Sequence, residues 1–123
     1  MVSGCVIAES IRTGARLENI PLRLTKIERC AIGNATAEQP AVWTMVEFEF
    51  AEQDAERVAT ALADVLDERA GWGYSDFELG SEKFVVYAGQ VFRYPRGDEA
   101  ARAEVQAYGR SLGVPEPQLD WSD

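Results

Sequence analysis

Histidine is missing from the 123 residues. Its absence removes the commonest general base and metal ligand, and with it the Ser-His-Asp and Cys-His nucleophilic arrangements. Cysteine is down to two, Cys5 and Cys30, at a spacing that fits no zinc or redox pattern. The expectation is two reduced, buried thiols; the alternative is a disulfide, if their strands are neighbours. Lysine is scarce, two against ten arginines, and alanine is abundant, a bias common in bacteria with GC-rich genomes. No run of about 18 apolar residues exists to make a transmembrane helix. The opening MVSGCVIAES has neither the basic start nor the long apolar stretch of a signal peptide. Val2-Ser3-Gly4-Cys5 looks like a lipoprotein cleavage box, but only Met1 precedes it. A cytoplasmic protein is the expectation. There is no GxxxxGK[ST] and no GxGxxG opening a helix, since Gly71-Trp72-Gly73 follows one. No cofactor and no metal are expected.

What is present is acid. The net charge is −9, and it is uneven: residues 1–33 carry +2, residues 34–82 carry −10 and residues 83–123 carry −1. An acidic central third repels nucleic acid and acidic membranes and attracts basic partners. At 46% apolar and 27% charged residues the chain reads as one globular domain, 1–123, with a polar C-terminal tail at 114–123.

Residues 4–12 read as a first strand and Ile20 to Ile32 as a second, whose apolar residues share a face only if a bulge lies near Thr25. Val42 to Phe50 alternates cleanly and is the clearest strand. Asp54 to Ala70 reads as a helix with Ala55, Val58, Ala59, Leu62, Val65 and Leu66 inward. Asp54 is its N-cap, Gly71 its left-handed C′ residue and Trp72 the apolar residue that folds back. Strands follow at Tyr74–Leu79, Phe84–Ala88 and Val91–Tyr94. A second helix runs from an Asp98 cap to about Leu112, where Gly113, Pro115 and Pro117 end it. The order β-β-β-α-β-β-β-α predicts an α+β two-layer sandwich, a mainly antiparallel five- to six-stranded sheet with both helices on one face.

Several groups are candidate sites. Glu47 with Glu49, and Asp76 with Glu78, are i, i+2 pairs that would hold Mg²⁺ or Ca²⁺ if their strands were adjacent; the simpler reading is a solvated sheet face. Trp43, Met45, Trp72, Tyr74, Tyr87 and Tyr94 are the aromatic and soft residues least required by a helix-facing core. Trp43 and Met45 lie opposite Val42 and Val46, so they form a ligand or partner surface on an open sheet face unless Leu119 or Trp121 of the tail covers them. Asp64, Asp67 and Glu68 form an acidic surface at the wrong end of a helix for its dipole. Arg93, Arg96 and the Arg12/Arg16 pair could hold an anion. The favoured reading is a non-enzymatic binding protein, an acidic interaction, inhibitor or regulatory module for a basic protein. The alternative is a small-molecule binder or enzyme with an aromatic pocket and Asp76 or Glu78 as base. A weak homodimer is compatible with either.

Overall fold

A computed structural model describes residues 1–68 and 73–123. The alternating segment becomes β3, Val42–Phe50, and the alternation decides its place: Phe48 and Phe50 are buried while Glu47 and Glu49 keep water. It is the middle strand of a three-stranded antiparallel sheet, flanked by β1, Val2–Ile7, and β2, Arg23–Ala31. The register of β2 slips between Leu24 and Lys26. This is the bulge near Thr25 that the apolar pattern requires, and it puts Leu24 and Ile27 on one face of the sheet.

The second sheet is a meander of β4, Ser75–Leu79, β5, Glu82–Tyr87, and β6, Gln90–Pro95, also antiparallel. The expected single sheet is therefore two sheets of three. They abut along β1 and β4, and the Ser75 hydroxyl donates to the Cys5 carbonyl at 2.6 Å. A side chain thus occupies a carbonyl that a continuous backbone ladder would use.

Helix α1 spans Ala55–Val65 and α2 spans Glu99–Ser111; 3₁₀ turns lie at Ala8–Ser10, Glu52–Asp54 and Glu116–Gln118. The start of α1 differs from expectation, because Asp54 closes a 3₁₀ turn and its side chain caps nothing. The end differs too. Leu66 is extended (φ −67°, ψ 144°) and bridges Ile11. Arg12 N–H takes the Val65 carbonyl at 2.7 Å, and Asp67 N–H donates to the Ser10 carbonyl at 2.8 Å. Tertiary partners replace the next helical turn. The expected continuation through Ala70, Gly71 and Trp72 lies outside the described residues. At α2 the caps are as read: Asp98 accepts from Ala101 N–H at 3.0 Å. Gly113, at φ +93°, closes the helix with Gly113 N–H to Arg110 O and Val114 N–H to Gly109 O, each 3.0 Å, the paired bonds of a Schellman end.

The helices do not share a face. Ala55, Val58, Ala59 and Leu62 of α1 join Val2, Val6, Phe48, Phe50, Phe77, Phe84 and Val86 in one core. Val105 of α2 joins Val85, Tyr87, Tyr94, Val114, Leu119 and Trp121 in another. Successive β5 residues point to opposite sides of the sheet, so Phe84 and Val86 meet α1 while Val85 and Tyr87 meet α2. The first core runs under both sheets. The second covers only the β4–β5–β6 sheet, and leaves the matching face of the first sheet open.

Candidate functional site

The open face of the first sheet carries Cys5, Ile7, Trp43 and Met45, set by the register that pairs Cys5 with Glu47 and Ile7 with Met45. The C-terminal segment covers only its margin, where Gln118 meets Asn34 and Gln39, and Trp43 keeps 8% exposure. Leu119 and Trp121 dock on the second sheet, and Pro117, Gln118 and Asp120 around them stand at the border as a wall. The result is a cleft of about 270 Å³. Cys5, Ile7, Trp43 and Met45 floor it, Tyr74 and Asp76 of the β4 segment close one side, and Pro117, Gln118 and Asp120 close another, with Ile32 and Asn34 at the rim.

The wall is tied down by hydrogen bonds between distant parts of the chain. Gln39 and Gln118 exchange amide bonds at 2.9 and 2.8 Å. Gln118 also donates to Asn34 O at 3.1 Å, and the Tyr74 hydroxyl donates to Gln118 O at 2.6 Å. Trp43 Nε1 donates to Pro40 O at 2.8 Å, which fixes the indole in the floor.

Asp76 leads from the cleft into a buried ionic group. Lys83 is fully buried, and its Nζ lies 2.5 Å from Asp76 Oδ2 and 2.9 Å from Glu78 Oε1. Burial raises the Asp76 carboxyl above the ordinary range, against the pull of Lys83 and with help from Glu78 and Asp120. Burial also pushes the Cys5 thiol up to about 11, with Glu47 and Asp76 adding to it. The Tyr74 hydroxyl goes up by burial and by the same two aspartates, Asp76 and Asp120. In all three groups burial is the larger cause, and the neighbouring carboxylates add to it. The lining residues include no lysine or arginine.

The expected site residues separate. Trp43, Met45 and Tyr74 come together in the cleft. Tyr87 does not: it is fully buried and donates to Val105 O at 3.0 Å. Tyr94 does not either. It accepts from Trp121 Nε1 at 2.8 Å and donates to Asp123 at 2.7 Å. Both belong to the second core. Trp72 lies outside the described residues. Asp64, Asp67 and Glu68 gather around a second depression of about 430 Å³ with Arg12, but α1 stops at Val65, so Asp67 and Glu68 are not on a helix and the dipole argument about them lapses.

The carboxylate pairs cannot form one metal site. β1 lies between β3 and β4. Glu49 meets Arg23 at 2.7 Å, Glu47 meets Lys26 at 3.4 Å, and Asp76 and Glu78 meet Lys83. Three of the four arginines proposed for an anion have protein partners as well. Arg93 bonds Glu82 and Glu56 over the Phe84 ring, Arg96 bonds Gly80 and Asp123 carbonyls, and Arg12 bonds the Asp64 carbonyl. The two cysteines are free. They share the open face, but β3 separates their strands, and both are half-buried, less covered than expected. Lys83, Gln118 and Asp120 went unnoticed in the sequence. Comparison with known proteins finds no matching family model, no matching curated protein and no matching solved structure.

Proposed function

We propose that the protein is a binding protein whose working site is the cleft on the open face of the first sheet. Its ligand is a small organic cation, an amine or ammonium group on an apolar body. The observation that carries this reading is the pairing of Trp43 and Tyr74 with Asp76 and Asp120 around a space lined by no cationic side chain. Aromatic faces and carboxylates both favour positive charge. The volume lies just under the roughly 300 Å³ at which pockets for drug-sized ligands begin, so the ligand is of single-side-chain size. The other reading, a basic protein docking on Asp64, Asp67 and Glu68, rests on an acidic surface gathered at one depression and on no helix-dipole argument.

The test is a series of arylalkylamines with their isosteric alcohols and carboxylic acids, followed by thermal shift and tryptophan fluorescence. Amines should raise the melting temperature and the acids should not. Asp120→Asn should weaken amine binding about ten-fold, the size of one partly exposed charge contact. If alcohols bind as well as amines, the cation requirement is wrong. If no member of the series binds, the cleft is not the site.

A further inference from the structure

Among the described residues no strand pairs with the outer edge of β2, the end strand of the first sheet. Its nine residues carry two of the most exposed large apolar side chains, Leu24 at 57% and Ile27 at 58%. The bulge puts both on the core-side face, while α1 lies over β5 and β6 and leaves this margin uncovered. A long edge strand with exposed apolar residues is a template for pairing with another chain.

We infer that two copies of the protein associate through this edge, β2 against β2, antiparallel about a two-fold axis at Ile27. The charges around Ile27 select the register. A two-fold axis perpendicular to the sheet keeps each face on its own side, so the axis must pass through a residue. At Ile27 it sets Ile27 against its own copy and Lys26 against Glu28 of the second copy, twice. Moved one residue either way, it sets Lys26 against Lys26, or Glu28 against Glu28. Opposed like charges destabilise a strand pair and opposite charges stabilise it. Lys26 already sits 3.4 Å from Glu28 and from Glu47 on the open face, so pairing would extend that group across the axis. The bulge beside Lys26 keeps the regular ladder short. The interface therefore falls at the small end of the range, under roughly 1,200 Å², and the association is concentration-dependent.

Sedimentation of the full chain from about 10 µM to about 1 mM should show a monomer–dimer equilibrium. Lys26→Glu should weaken the dimer about ten-fold. Lys26→Glu with Glu28→Lys should restore it, because the swapped pair is again complementary. In a Cys5→Ser, Cys30→Ser background, Ile27→Cys should form an intermolecular disulfide, since directly opposed strand residues have Cα atoms about 4.5–5.5 Å apart, within disulfide reach. Arg29→Cys, two residues off the axis on each chain, should not. A monomer throughout the range overturns the proposal. So does a dimer in which the double swap fails to restore what the single swap lost, or one that cross-links as readily at position 29 as at 27.

Discussion

Lys83 has no contact with water, whereas its partners Asp76 and Glu78 keep about a third of their side-chain surface, 33% and 36%. That difference decides which substitutions hurt. If the lysine is replaced by methionine, a similar volume stays filled and both carboxylates turn to solvent. The expected cost stays below the roughly 3–5 kcal/mol of breaking a fully buried pair, because both carboxylates left behind reach water. If the carboxylates are neutralised, Asp76→Asn with Glu78→Gln, the ammonium is stranded in a buried site. The expected cost is larger, toward the roughly 3–5 kcal/mol of a broken buried pair, less what Asp76 gains by losing a charge that burial disfavours. Denaturant melts of the two variants at neutral pH check the order, and a Lys83→Met loss larger than that of the double variant would mean that the ammonium itself organises the site. The raised Asp76 carboxyl has its own sign. A carboxyl with a higher value in the folded state adds stability when protonated and loses it as pH rises through that value. Asp76 is therefore retained at some expense at neutral pH, which suits a group that holds Lys83 and faces the cleft.

At the scale of elements, α2 and β5 meet at a glycine. A Cβ on Gly109 would lie 2.6 Å from Tyr87 Oη and 2.8 Å from Leu119 Cδ2. Gly109→Ala gains about 1 kcal/mol of helix propensity. It also forces a buried hydroxyl off the Val105 carbonyl and overpacks a full core, at about 1–3 kcal/mol for packing and about 1 for the bond. A net loss of about 1–3 kcal/mol in denaturant melts is expected, and a stabilised variant would show that Tyr87 has room to move. What was legible in the sequence follows the same local and non-local divide. The β2 bulge was legible, because Leu22, Leu24 and Ile27 conflict unless the phase slips. The caps of α2 were legible because Asp98 and Gly113 act within one turn. The end of α1 was not: Leu66 falls in phase with the apolar stripe, and only its bridge to Ile11, 55 residues away in the chain, takes it out of the helix. The placing of α2 on the opposite face had a signal that was misread. Phe84 to Tyr87 has no polar alternation, the pattern of a strand buried on both faces. Lys83 was also within reach, since the tight β4–β5 turn sets it opposite Glu78. Gln118 and Asn34 were not, because their meeting depends on where the tail lands.

On the scale of the molecule, the cleft keeps its wall only while the C-terminal segment stays against the second sheet, and Asp123 is one of the residues that hold it there. Asp123 accepts from the Tyr94 hydroxyl at 2.7 Å, Gly97 N–H at 3.1 Å and Arg102 at 3.0 Å. Arg102 also donates to Trp121 O at 2.5 Å and lies over the indole at 5.3 Å. Burial pushes the Asp123 carboxyl up, but its bonds to Tyr94, Gly97 and Arg102 outweigh burial and bring it below the ordinary range. Tyr94 is pushed up to about 12 by burial and by the same bond seen from the phenol side. The sign for a depressed carboxyl is the reverse of that for Asp76. Its stabilisation is fully present above the unfolded value, near 4, and is lost as pH falls through the folded one. Asp123→Asn should therefore lower stability at pH 6–7 by about 1.5–3 kcal/mol, the range for hydrogen bonds to a charged group. The gap to the parent protein should close as pH falls below about 4. Melts of both proteins across that interval check it, and a gap that stays constant with pH would mean that the carboxylate charge is not what holds the segment. Because Gln118 and Asp120 ride on the same segment, the substitution should also weaken amine binding at neutral pH, with Trp43, Met45 and Cys5 untouched in the floor.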